Sequence, residues 1–200
     1  MRYFPCVAGS ARRRDTRHYR MGASEVRNRH SGLVATASGL SPELFARVRL
    51  LTARVMFYEA VGGDLVDLAC DLLVAGVETP STVALAGESP SVTMIDAEPL
   101  FRDAIAELGL PPLPRDQAGW LLARSVAQQM VADSIPQQVG AGILWGMWRD
   151  LGCPSEISAM VELLDVWEEL LGDQRGPIED EMRAAAPAVI AAAEQSIGPT

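Results

Sequence analysis

One stretch, Asp64 to Ser81, constrains the fold more than any other part of the chain. It reads DLVDLACDLLVAGVETPS, and its apolar residues repeat at the three- and four-residue spacing of one helix face. We expect Asp64 to cap the start of this helix and Gly76, followed by Val77, to end it. Thr79-Pro80 then has the composition of a second helix start. The stretch therefore predicts two helices joined by a tight turn.

The same signals recur along the chain after residue 40. Helix starts are predicted near Ser41-Pro42, Asp96, Asp116, Pro136, Pro154 and Pro177. Helix ends are predicted at Val61-Gly62-Gly63, Gly87, Gly109, Gly152 and Gly172. Pro187 is expected to kink or split the last helix. With no convincing strand, the sequence predicts an all-α single domain: a bundle of about seven helices over residues 41–197.

The charge of the chain is divided unevenly. Residues 1–30 carry eight of the seventeen arginines and two acids, a net charge of +6, whereas the remaining residues carry a net charge of −15. Residues 1–40 show no sustained apolar periodicity and mix Arg with Ser, Gly and Asn, which predicts a disordered basic N-terminal arm. We favour an accessory arm, which is either an extension upstream of a true start such as Met21, and so absent from the mature protein, or a disordered tail. The alternative is an arm that binds nucleic acid.

Several classes of protein are disfavoured by what the chain lacks. Both histidines, His18 and His30, lie in the arm and Lys is absent, so the body lacks the side chains that most often move protons at neutral pH. No catalytic residue and no cofactor are therefore predicted. The three widely spaced cysteines form neither a zinc-site spacing nor a disulfide framework, and Cys70 is expected to be a small core residue. No apolar run is long enough for a membrane span, so a cytoplasmic protein is expected.

Three segments resemble a known family. They are DLLVAGVETPSTVALAG, AELGLPPLP and GILWGMWRDLGCPSEISAMVELLDVWEELLGD, in this order. They resemble a family of small all-helical proteins from high-GC bacteria that has no assigned function. The resemblance spans residues 45–195 and excludes the arm. It implies a helical fold and an accessory N-terminus, and it assigns no site residue.

Two acidic stripes are the first candidate site residues. Each places three carboxylates at positions i, i+3 and i+7 of a helix: Asp64, Asp67 and Asp71 in the first, and Glu162, Asp165 and Glu169 in the second. Stripes on two facing helices would suit Mg²⁺ or an acid–base pair. The body, however, offers no His for the Glu-x-x-His pairs of di-iron bundles. We therefore expect both stripes to be outward acidic faces.

Tryptophan and glycine give the remaining expectations. Trp145 fits the apolar set of its helix less clearly than the other tryptophans fit theirs, so we expect it to be exposed, with Trp148 and Trp167 in the core. Gly142 and Gly146 are expected to let two helices approach closely.

A non-enzymatic protein-interaction domain agrees best with these features. Its acidic surface would dock on a basic protein through the six carboxylates and Trp145. An immunity-type inhibitor of a cationic toxin is one concrete version. The alternative is a small helical enzyme, or a bundle that binds a ligand or metal, built on the carboxylate stripes and tryptophans.

Overall fold

The computed structural model describes residues 40–197, and within this range every regular element is helical. The eight α-helices are α1 (Pro42–Met56), α2 (Gly62–Val74), α3 (Pro80–Ala86), α4 (Met94–Glu107), α5 (Arg115–Val131), α6 (Gln137–Trp148), α7 (Ser155–Glu169) and α8 (Gly176–Ile197). A single 3-10 turn, Gly172–Arg175, precedes α8. The predicted all-α domain is confirmed. The predicted arm, residues 1–40, lies outside the described residues except for Leu40.

Two aspartates predicted as helix caps lie one turn inside their helices. Asp64 is the third residue of α2, and its carboxylate accepts a hydrogen bond from the backbone N–H of Val61 at 3.1 Å. Asp96 is the third residue of α4 and accepts from the Thr93 hydroxyl at 2.8 Å. A carboxylate at this position can reach back to the residue before the helix. The cap prediction was therefore wrong by three residues in both cases, although each side chain does serve the helix start.

The predicted end of α2 at Gly76 is confirmed. Gly76 has a φ of +78°, which is the left-handed conformation that glycine adopts without strain. Its N–H donates to the Leu73 carbonyl, and the N–H of Val77 donates to the Leu72 carbonyl, both at 2.9 Å. Val77 is buried against the core, which completes this common helix ending.

The end of α1 differs from the prediction, because it uses a tyrosine in place of a glycine. Tyr58 takes a φ of +61° and donates from its N–H to the Val55 carbonyl at 3.2 Å. The next N–H, of Glu59, donates to the Arg54 carbonyl at 2.8 Å, so the hydrogen bonds match those at Gly76. The predicted Val61-Gly62-Gly63 stop is wrong, because these two glycines belong to the first turn of α2.

Two groups of buried side chains form the core. The first lies among α1 to α4 and includes Leu65, Leu68, Leu85, Phe101 and Leu108. The second lies among α5 to α8 and includes Met130, Leu144, Ile157, Met160 and Met182. Each such side chain contributes about 1.5–3 kcal/mol when it is removed from water. Helix α1 serves both groups, since Val48 and Leu51 belong to the first and Ala53 to the second.

Three further expectations concern single residues or the whole helix set. The last helix is not split, since α8 runs continuously through Pro187. Cys70 is exposed, so its placement in the core was wrong: Leu68 and Ala69 face inward, and the helical turn carries the next residue outward. None of the described helices has the length and apolar character that a membrane crossing needs.

Candidate functional site

The acidic stripe of α2 is largely neutralised by its neighbour α1. Asp71 forms an ion pair with Arg47, and Asp64 forms one with Arg54 at 2.9 Å. Asp67 is exposed and has no ion-pair partner among residues 40–197. Because two of its three charges are paired within the fold, α2 presents one unpaired carboxylate of the stripe rather than three.

The acidic stripe of α7 behaves differently. Glu162, Asp165 and Glu169 are all exposed, and none has an ion-pair partner in the described part of the chain. We call these three residues the acidic line. They lie in the most acidic part of the molecule, since residues 156–181 contain nine carboxylates and one Arg, a net charge of −8. More than half of the −15 carried by the body is therefore concentrated here.

The single cation of this segment, Arg175, is already engaged. Its Nε donates to the Leu170 carbonyl at 3.0 Å, and its guanidinium lies 3.8 Å from the centre of the Trp167 ring. The indole Nε1 of Trp167 in turn donates to Glu179 at 3.0 Å. These contacts order the junction between α7 and α8 and leave the acidic line unpaired.

The two stripes do not face one another. Helix α2 packs on α1, α3 and α4, whereas α7 packs on α6 and α8. Within the described residues, no group of three or more His, Cys, Asp and Glu side chains could hold a metal ion. The arrangement on facing helices, on which the metal or acid–base alternative depended, is therefore wrong.

The tryptophans separate as the sequence suggested, although less sharply. Trp145 is 58% exposed, whereas Trp148 and Trp167 are partly buried against the second core group. The indole Nε1 of Trp148 donates to the Ser158 hydroxyl at 3.0 Å, and this hydroxyl donates to the Pro154 carbonyl at 2.9 Å. The bond between Trp148 and Ser158 fixes which flanks of α6 and α7 meet.

This contact places Trp145 beside the acidic line. Since a short loop joins α6 to α7, the two packed helices run antiparallel. Trp145 precedes Trp148 by one turn on the same flank of α6, about 4.5 Å along its axis. Glu162 follows Ser158 by one turn on the same flank of α7, about 6 Å in the same direction. The exposed indole and the first residue of the acidic line therefore lie along one junction.

In α6 the close helix approach that was predicted at Gly142 and Gly146 occurs at Gly140 instead. A Cβ on Gly140 would lie 2.5 Å from both Cγ and Sδ of Met130, so Gly140 is where α6 approaches α5 closely. A Cβ on Gly142 or on Gly146 would have no heavy atom within 4 Å. These two glycines therefore face open space, and the prediction that they allow close packing inside the chain was wrong.

Helix α6 consequently has an outward apolar face, which was not predicted from the sequence. Val139 is 46% exposed and, with Trp145, flanks the open Gly142 and Gly146; we call these four residues the α6 face. The helix contains no charged residue, and this was the feature of the sequence that could have indicated an apolar outward face. The nearest Arg in sequence, Arg149, is the C-cap of α6, and the Glu169 end of the acidic line lies towards the opposite end of this helix.

The start of α6 is held in place by a polar cluster. The buried side chain of Gln137 donates from Nε2 to the Met130 carbonyl and to Asp133, both at 3.0 Å. Asp133 also accepts from Arg183 of α8 at 2.6 Å, and this bond lowers the pKa of Asp133 below its usual value. Helices α5, α6 and α8 are therefore linked at the end of α6 opposite Arg149, and the α6 face is presented by an anchored helix.

A separate groove of about 310 Å³ lies between α1 and α4. Its lining is mainly apolar, with an ion pair between Arg102 and Glu98 at 2.6 Å. The full lining consists of Thr52, Val55, Met56, Tyr58, Glu98, Phe101, Arg102 and Ile105. It contains no tryptophan and no stripe carboxylate, so a ligand site here would use none of the residues that the sequence alternative named.

The strongest candidate for a functional site is the α6 face together with the acidic line. It combines an exposed indole, open apolar helix surface and three unpaired carboxylates on two packed helices. No protein-family model matches this chain, and neither a curated protein nor a solved structure does. The candidate therefore rests on its geometry and charge.

Proposed function

We propose that this protein is a non-enzymatic interaction domain that binds a basic protein through Trp145 and the acidic line. The observation that carries the proposal is the position of three unpaired, exposed carboxylates beside a 58% exposed indole. Tryptophan is among the residues most enriched where binding energy concentrates. An arginine of the partner could stack on the indole while a neighbouring Arg or Lys pairs with a carboxylate.

Charge supports the choice of a basic partner. The net charge of −8 over residues 156–181 attracts a cationic surface and repels nucleic acid and anionic membrane. Complementary charge mainly accelerates encounter, and it acts over a screening length of about 8 Å at physiological salt. We place the protein in the cytoplasm, and an inhibitor of a cationic toxin remains one concrete version of this function.

Binding through the acidic line can be tested by removing its charge. The variant Glu162→Gln, Asp165→Asn, Glu169→Gln is compared with the native chain in capture from native lysate at low salt, followed by mass spectrometry and affinity measurement on the captured protein. Exposed charge pairs contribute about 0.2–1 kcal/mol each, so the triple variant should bind roughly 3- to 150-fold more weakly. Trp145→Ala should cost about 2 kcal/mol, or roughly 30-fold.

A matched control removes three exposed carboxylates elsewhere. Asp67→Asn, Glu78→Gln, Glu88→Gln makes the same change in net charge on the part of the chain that contains α2 and α3. This control should retain binding of the same basic protein. The proposal fails if no basic protein is captured by the native chain, or if the control weakens binding as much as the acidic-line variant does.

A further inference from the structure

We infer that the docking element of the partner is an α-helix that lies along the α6 face and carries Arg or Lys on the flank above α7. This inference rests on the proposed function and specifies the shape of the partner. The first observation in its support is that no other described part of the chain covers the α6 face. Val139 and Trp145 are 46% and 58% exposed, and beyond the adjacent residues and the local backbone of α6 no heavy atom lies within 4 Å of a Cβ placed at Gly142 or Gly146.

The spacing of the α6 face suits a helix. Gly142 and Gly146 are one turn apart on the same side of α6, with Val139 one turn before Gly142. Packed helices normally lie 8–10 Å apart, depending on the side chains between them, and glycine permits the closest approach. Val139 and the Trp145 indole then supply apolar contacts on both sides of this track.

An extended peptide fits this surface less well. Such peptides usually gain affinity by adding a strand to the edge of a sheet, and residues 40–197 form no strand. The backbone amides and carbonyls of α6 are already paired within the helix. A partner helix brings its own backbone hydrogen bonds and needs only an apolar ridge to match the α6 face.

The charge pattern fixes the orientation of that helix about its own axis and argues against self-association. Because α6 is uncharged, the ridge facing it should be apolar or small, and the cations should lie on the edge above the acidic line. A second copy of this chain would bring another segment of net charge −8 to the contact. Like charges at one interface are unfavourable, so a basic helix of another protein is the better occupant.

Two synthetic peptides of equal charge separate helix recognition from general attraction to cations. The first has about 20 residues, with an apolar ridge and Arg along one flank, long enough to form a helix. The second contains the same residues in scrambled order, except that one uncharged residue is replaced by a central proline so that the peptide cannot form a helix. Affinities are measured by titration calorimetry against the full chain. We expect the helical peptide to bind at least about tenfold more tightly than the scrambled peptide.

The matched protein variant fills the glycine track. Gly142→Leu with Gly146→Leu has room to fold, and it should reduce affinity for the helical peptide about tenfold while leaving the scrambled peptide unaffected. The control is Ala184→Leu with Ala191→Leu on the exposed side of α8, which should change neither affinity. If the leucine variant does not fold, Gly142→Ala with Gly146→Ala serves instead, with a smaller loss in the same direction.

The outcomes separate the two proposals. The inference of a partner helix is overturned if both peptides bind equally, or if filling the glycine track has no effect on affinity. The acidic-line proposal still holds in that case, provided that neither peptide binds the charge-neutralised variant. Absence of binding by either peptide overturns both. A chain that dimerises through the α6 face, seen as a doubled mass by light scattering that the leucine variant abolishes, would overturn the basic helix as occupant.

Discussion

The glycines of α6 allow one packing contact to be measured almost in isolation. Gly140→Ala and Gly142→Ala make the same chemical change in the same helix, two residues apart. In a helix interior, alanine is favoured over glycine by about 0.5–1 kcal/mol, and this gain applies to both variants. The difference between their free energies of unfolding therefore reports what the added methyl group meets.

The structure predicts that the added methyl group meets no neighbour at Gly142 and is overpacked at Gly140. At Gly142 the methyl group meets no heavy atom within 4 Å, so the full gain of about 0.5–1 kcal/mol should appear, or roughly 1–4 °C in Tm. At Gly140 it would lie 2.5 Å from Met130, whose side chain is fully buried and cannot move into solvent. Such overpacking costs about 1–3 kcal/mol, so Gly140→Ala should be less stable than Gly142→Ala by that amount.

Urea denaturation followed by circular dichroism gives both free energies, and equal m-values would show that the comparison is valid. Gly146→Ala provides an internal control, because its Cβ is equally open and it should match Gly142→Ala. The reasoning is refuted if Gly140→Ala proves as stable as Gly142→Ala. In that case α6 would not approach α5 as described, and the outward direction of the α6 face would lose its support.

Two further predictions concern the helix ends. Tyr58 is 91% exposed in a left-handed conformation that costs a non-glycine residue about 1–2 kcal/mol, so Tyr58→Gly should stabilise the fold by a net of about 0.5–1 kcal/mol after the entropy of glycine is subtracted. Tyr58→Ala keeps the backbone strain, so its urea midpoint should not rise as that of Tyr58→Gly does. An equal rise in both variants would contradict the explanation by backbone strain. The hydrogen bond from Arg183 lowers the folded-state pKa of Asp133, so its contribution to stability is present above the unfolded pKa and is lost as the pH falls through the lower folded value. The free energy of unfolding of Arg183→Gln should therefore fall less than that of the native chain between about pH 5 and pH 2. If the two free energies fall equally with pH, the ion pair between Arg183 and Asp133 does not contribute to acid unfolding.

The helices were largely predictable because their signals are local. Apolar spacing, a proline in the first turn and a glycine after the last turn act within a few residues, and these signals located the helix ends at Gly76, Gly87 and Gly109. The errors fell where a distant segment decided the outcome. Gly62 was predicted to end α1, yet it lies in the first turn of α2, where a Cβ would collide with the Val92 carbonyl oxygen, thirty residues away in the chain.

The candidate site was only partly predictable for the same reason. The sequence selected six carboxylates and Trp145, yet it could not show that Arg47 and Arg54 of α1 pair with Asp71 and Asp64. Ion pairing depends on which helix packs beside which, and the local pattern of the two stripes is identical. In the described part of the chain, the α7 stripe forms no ion pair, whereas two carboxylates of the α2 stripe do.

By itself, the sequence determined the class of the fold, the approximate extent of most helices and the surplus of negative charge in the body. These follow from helical periodicity, residue conformational preferences and composition, which need no knowledge of neighbours. Tertiary structure alone decided which carboxylates stay unpaired, that Gly140 is packed while Gly142 and Gly146 are open, and that Trp145 lies beside the acidic line. Each of these depends on contacts between residues far apart in the chain, and side-chain burial and charge pairing are properties of those contacts.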